Sequence, residues 1–110
     1  MKEFKGTKGE WKLNRRYSDE HGKILFITIV DEDNKIVAEA KGHEVVNAEC
    51  MANAKLIATA PELETRLQQS TDMLNSLLVL FGDHMAVTTK FAVSQQIKEN
   101  DNAINKALGL

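Results

Sequence analysis

The chain of 110 residues has little of what staples, breaks or stacks a fold. It has one cysteine, Cys50, which excludes an internal disulfide and a zinc site built on thiolates. A lone thiol suits a reducing compartment. Cys50 lies in an Ala/Met-rich stretch, where a cysteine behaves as a small hydrophobe rather than a nucleophile. One proline and no low-complexity tract argue against a long disordered tail. The glycines are scattered, so there is no Gly-rich phosphate loop. No apolar run approaches the roughly 18 residues of a membrane span. The longest is Leu77–Phe81. Met1-Lys2-Glu3-Phe4-Lys5-Gly6 starts basic but leads into no apolar segment, unlike a signal peptide. The expected location is the cytoplasm, with no membrane association.

An excess of positive charge is also missing. The net charge is −2, which argues against direct nucleic-acid binding. The charge is uneven, however. Lys2, Lys5, Lys8, Lys12, Arg15 and Arg16 face only Glu3 and Glu10 in the first sixteen residues, so the remainder is acidic. That basic start is either a solvated strand or an edge that meets a phosphate or an acidic partner.

Catalytic and metal-binding patterns are equally sparse. His21, His43 and His84 fall in expected turns or loops, and none has a partner at a ligand spacing such as H-x-x-x-H. Ser18, Ser70, Ser76 and Ser94 lack a nucleophile-elbow context. Asp31-Glu32-Asp33 reads as an acidic turn without the spaced oxygen ligands of an EF-hand. The expectation is a protein that is not an enzyme and carries no metal or cofactor. Trp11 and Tyr17 are the only residues of their types and fall with Arg15 on one face of an alternating strand, Arg16 being on the other. Aromatic rings next to guanidinium groups can stack a base or nucleotide. The plainer reading is that both rings cap the core.

What the sequence has in abundance is periodicity. Glu10–Tyr17 alternates as a half-buried strand. Ile24–Val30 is apolar on both faces, as expected of a central, covered strand. Ile36–Ala40 is shorter and smaller in side chain. Ser18-Asp19-Glu20-His21-Gly22 and Asp31-Glu32-Asp33-Asn34 are turns, with Gly22 available for positive φ. Short turns between successive strands predict an antiparallel meander over residues 10–41, after a flexible stretch 1–9.

At Gly42 the period changes to that of helices, which occupy 47–108. Asn47 can cap the first, with Val46 and Met51 at the spacing of a hydrophobic staple. That helix covers Ala48–Ala58, and its alanines let it lie flat on the sheet. Thr59 and Glu62 have capping-box spacing around Pro61, which predicts a new helix ending near Phe81. Leu63, Leu67, Leu74, Leu77 and Phe81 form its heptad seam, with Ser70 in the remaining slot. Gly82-Asp83-His84 breaks it. A last helix over 90–108 carries Val93, Ile97, Ile104 and Leu108 on one face, interrupted by Asn100-Asp101. The fold class is α+β: one domain, an N-terminal three-stranded antiparallel meander, then three helices, the last two an antiparallel hairpin. Met73, Leu78 and Leu80 exceed what the seam needs. Together with Leu77 and Phe81 they predict an interface of a homo-oligomer, most simply a dimer.

Asn53-Ala54-Lys55-Leu56-Ile57-Ala58-Thr59-Ala60-Pro61-Glu62-Leu63 resembles the "N-A-x-L-I-A-x-A-P-E-L-L-E-A-L" signature of a widespread family of small phage and prophage proteins, most of unassigned role. The resemblance extends to Gly9-Glu10-Trp11, to the turn Val30–Ala38 and to Ala103-Ile104-Asn105-Lys106-Ala107-Leu108-Gly109, and so covers most of the chain. Asn34 stands where the family has glycine, and Glu64 where it has a second leucine. The resemblance implies a phage origin and an accessory role, and it brings no catalytic motif; the cytoplasm expected above is then that of the host bacterium. The leading expectation is a non-catalytic protein that binds and inhibits a host protein, most directly one of an anti-phage defence. The alternatives are an oligomeric sponge for a nucleotide signal, held by Trp11, Arg15 and Arg16, and a structural or interaction role in the phage.

Overall fold

The computed structural model describes residues 2–41 and 46–110, apart from the side chains of Arg15 and Arg16. Gly42 and His43 lie outside the described residues. The chain divides into two compact units. Gly6–Glu62 forms one, and Leu63–Leu110 with the N-terminal residues through Lys5 forms the other.

The first unit holds β1 (Lys12–Ser18), β2 (Ile24–Val30) and β3 (Ile36–Lys41), an antiparallel sheet in the order β1-β2-β3. The doubly apolar strand is central, as its pattern demands. Both hairpin turns are built alike. Asp19 Oδ1 accepts the amides of His21 and Lys23 at 2.9 and 3.1 Å, and Asp31 Oδ1 accepts those of Asp33 and Lys35 at 2.9 Å each. Three residues after each aspartate the backbone turns left-handed, at Gly22 (φ 78°) and Asn34 (φ 63°). The acidic turn is therefore a backbone clasp that occurs twice, as Asp-Glu-His-Gly-Lys and Asp-Glu-Asp-Asn-Lys.

β1 carries a bulge that the alternation of its sequence does not show. Leu13 pairs with Ile29, yet Arg15 pairs with Thr28, so Asn14 is the extra residue. One inserted residue flips the following side chains to the opposite face. Trp11 and Leu13 accordingly pack with Ile27 and Ile29 in the core, whereas Tyr17 pairs with Phe26 on the other side of the sheet. The expectation that Trp11 and Tyr17 share a face is corrected.

Helix α1 (Ala48–Phe81) begins as expected. The Cys50 amide donates to Asn47 Oδ1 at 2.9 Å, the bond of an N-cap, and Val46 and Met51 both pack on the core. That core is Ile27, Ile29, Ala40, Cys50 and Ala54, with Ala38, Ile57 and Ala58 at its margin. The side chains that β3 and the helix contribute to it are small: Ala40 from the strand, Cys50 and Ala54 from the helix. The two large isoleucines contribute most of the burial, about 1.5–3 kcal/mol each.

The break expected at Thr59-Ala60-Pro61-Glu62 is absent. α1 runs on through Pro61, and Thr59 Oγ1 donates to the Lys55 carbonyl at 2.7 Å instead of capping a new helix. An internal proline costs about 3 kcal/mol. Ending one helix and nucleating another costs roughly 4 kcal/mol at a nucleation constant near 10⁻³, so continuation is competitive. The described elements are thus two α-helices and one 3₁₀ turn after the sheet, rather than three α-helices.

In the second unit, α1 is followed by that 3₁₀ turn, Gly82–His84, and by α2 (Val87–Leu108). α2 ends in a Schellman cap. Gly109 is left-handed (φ 76°), its amide donates to Lys106 O at 3.3 Å, and the Leu110 amide donates to Asn105 O at 2.7 Å. Asn100 Nδ2 donates to Thr71 Oγ1 at 3.1 Å. Further from the turn, Lys2 links Gln68 to Asn105. Partners that move back along α1 as they move forward along α2 define the expected antiparallel hairpin.

Candidate functional site

The helical seam lies elsewhere than the heptad reading puts it. In the part of α1 that belongs to the second unit, the residues withdrawn from water are Glu64, Leu67, Gln68, Thr71, Leu74 and Leu78, leading to buried Gly82. Leu63, Leu77 and Phe81, expected in the seam, are exposed. Polar side chains can take the inner positions because each is satisfied. Gln68 accepts the Lys2 amide at 2.8 Å and donates to the Lys2 carbonyl at 2.9 Å, a two-bond match between a side-chain amide and a peptide. Its Nε2 also donates to Glu64. Thr71 donates to the Leu67 carbonyl at 2.8 Å and accepts from Asn100, which itself accepts from Gln96 at 2.7 Å. No buried side-chain nitrogen or oxygen among the described residues lacks a partner.

This rotation leaves a second apolar face on α1. Leu63, Met73, Leu77, Leu80 and Phe81 are between 41 % and 67 % exposed. Four of the five residues expected at an interface, Met73, Leu77, Leu80 and Phe81, stand on it. Leu78 does not. It is half-buried on the inner face, where a Cβ at Gly82 would meet its Cδ1 at 3.8 Å.

The start of α2 adds a feature that sequence reasoning missed. Val87 and Phe91 are 85 % and 71 % exposed. With Gly82, Asp83, Met85, Lys90 and Ser94 they line a shallow groove. Their spacing of four residues was available as a signal, but a helix start placed at Lys90 hides it.

Of the residues proposed to hold a nucleotide, Trp11 and Tyr17 stand on opposite faces of the sheet. Trp11 Nε1 donates to the Thr7 carbonyl at 3.2 Å, and its ring packs on the core. Tyr17 stacks on Phe26 with centroids 4.4 Å apart and planes 18° apart, and Lys41 Nζ lies 5.5 Å from the Phe26 centroid. The backbones of Arg15 and Arg16 pair with Thr28 and Ile27, and their side chains lie outside the described residues. Cys50 is buried in the core. Among the described residues no group of His, Cys, Asp and Glu is placed to hold a metal ion. No helix is long and apolar enough to cross a membrane, again among the described residues.

The chain is thus an α+β protein that exposes apolar helix faces among its described residues. It belongs to the family of Salmonella phage P22 protein Y8K6, whose model matches residues 1–110, and is therefore a member of a phage protein family. No curated protein and no solved structure matches it.

Proposed function

We propose that this is a phage accessory protein that works by binding, as a homo-oligomer, and that it inhibits a host protein in the bacterial cytoplasm, most directly a component of an anti-phage defence. The reading involves no catalysis and no cofactor. The observation that carries it is the apolar surface left in water on the helical unit, foremost Val87 and Phe91 beside the Gly82 groove. Exposed apolar clusters of this kind mark interaction sites more often than not, and aromatic anchors supply much of the energy of protein interfaces. A photo-crosslinking phenylalanine analogue at position 91, expressed in the phage's host, tests it. One discrete host protein should be captured at position 91 and not at position 99 on α2. Capture of the same mixture at both positions would refute the reading.

A second reading, a nucleotide sponge, is favoured by one observation: the stacked Tyr17 and Phe26 with Lys41 beside them. An aromatic pair next to a cation suits a base and its phosphate. Purified protein denatured by heat should then release an intact nucleotide, and release of none would exclude the sponge.

A further inference from the structure

We infer that two copies of this chain pair through the outer face of α1, antiparallel, about a two-fold axis between Thr71 and Asp72. This rests on the oligomer proposed above and adds which residues meet and in which direction.

The outer face has the spacing of a self-pairing helix. Leu63, Arg66, Ser70, Met73, Leu77 and Leu80 follow one another at intervals of three and four, the a and d positions of a heptad. The hairpin does not use this face, because its own contact runs along Gln68, Thr71, Leu74 and Leu78. Leu63, Met73, Leu77, Leu80 and Phe81 expose 51, 65, 41, 67 and 53 % of their surfaces. At about 200 Å² for a large side chain, that is on the order of 500 Å² per chain. Two copies face to face bury about 1,000 Å², the lower bound of a specific interface.

Charge and volume fix the direction. A parallel pair in register sets Arg66 against Arg66 and Ser70 against Ser70, which combines a like-charge contact with a void. The antiparallel pair sets Leu63 against Leu80, and the small Ser70 against the long Met73. Arg66 then falls opposite Leu77, where its aliphatic stem covers apolar surface while its head stays in water. At 1.5 Å per residue, the two Arg66 groups end roughly 16 Å apart, beyond the screening length of about 8 Å. Of the flanking positions, Gln69 and Ser76 are uncharged, and Glu62 falls at the end of the pair, level with Phe81 of the second copy rather than with another carboxylate. A closed two-fold pair also buries the whole patch on both copies and leaves none to propagate.

The test uses the full chain at micromolar concentration. Sedimentation should give twice the 12.3 kDa chain mass. Leu80→Glu and Met73→Glu should each abolish the dimer while retaining the circular dichroism of the parent, since both positions are exposed. Phe91→Glu should leave it intact. A short bifunctional maleimide should link Leu63→Cys to Leu80→Cys in a mixture of the two variants, and neither variant to itself. The parent is the control, because Cys50 is buried. A monomeric parent, a dimer that survives both charge variants, or linking of Leu80→Cys to itself would overturn the inference. The two readings fail separately. A monomer that still captures a host protein at position 91 refutes the pairing alone, and a dimer that captures none refutes host binding alone.

Discussion

Asn100 and Thr71 are both buried and bonded to each other, with Asn100 Nδ2 donating to Thr71 Oγ1 at 3.1 Å across the helical hairpin. Neither is a residue that hydrophobic periodicity assigns to a core. Their bond makes the position specific, because Asn100 is costly to bury without Thr71. Asn100→Ala should destabilise the chain by about 0.5–1.5 kcal/mol, the net worth of the bond, since Thr71 keeps its bond to the Leu67 carbonyl. The double variant Thr71→Val/Asn100→Leu should lose much less than the sum of the single changes. Urea unfolding of the four proteins of the cycle gives the coupling directly, and additive losses would show that the bond contributes nothing.

The two candidate helix caps should behave oppositely. Asn47 accepts an amide that otherwise has no partner, so Asn47→Ala should cost about 1 kcal/mol. Thr59 sits inside α1 and bonds back to Lys55, an arrangement that slightly disfavours the helix. Thr59→Ala should therefore change stability by less than about 0.5 kcal/mol. A loss at Thr59 as large as at Asn47 would mean that the helix is interrupted there after all.

Pro61 leads to a related expectation. Inside α1 it removes the amide that would bond the Ile57 carbonyl, and its ring crowds that carbonyl. Pro61→Ala should raise the urea midpoint, with a gain of up to about 3 kcal/mol. A lower midpoint would indicate that the proline is needed where it stands.

The sheet was legible because its signals are local. The doubly apolar run Ile24–Val30 marked the central strand, and Gly22 marked a left-handed turn. So was the start of α1, where Asn47, Val46 and Met51 occupy the positions that a cap and staple require. The bulge at Asn14 was not, since an inserted residue in one strand is visible only through its partner. The helical seam was misplaced by about one residue because Gln68 and Thr71 look like surface residues until Lys2 and Asn100 are beside them. The continuation through Pro61 depends on a balance of two costs of similar size, and a sequence motif weighs only one of them. For the candidate site, an excess of apolar residues on α1 could be read, but Leu78 and Leu80 could not be told apart without knowing which face the hairpin uses.

Asn34 offers a test of the turn between β2 and β3. Its φ of 63° lies in the left-handed region, which disfavours residues with a Cβ by about 1–2 kcal/mol and asparagine less than most. Its side chain has a second task. Asn34 Oδ1 accepts from Asn14 Nδ2 at 3.2 Å, tying the turn to the bulge in β1. Asn34→Gly relieves the backbone and loses that exposed bond, two effects of opposite sign and each roughly 0.5–1 kcal/mol. The net change should be small. Asn34→Ala loses the bond and gains no backbone freedom, so it should cost about 1–2 kcal/mol. Asn14→Ala removes the bond alone and should cost about 0.5–1 kcal/mol. The expected order of stability is therefore glycine and asparagine together at position 34, with alanine clearly below. Chemical denaturation of the three variants beside the parent measures it. Alanine equal to glycine at position 34 would contradict the left-handed turn, and a large loss at Asn14 would make the bond between the side chains, rather than the backbone, what holds the turn to the bulge.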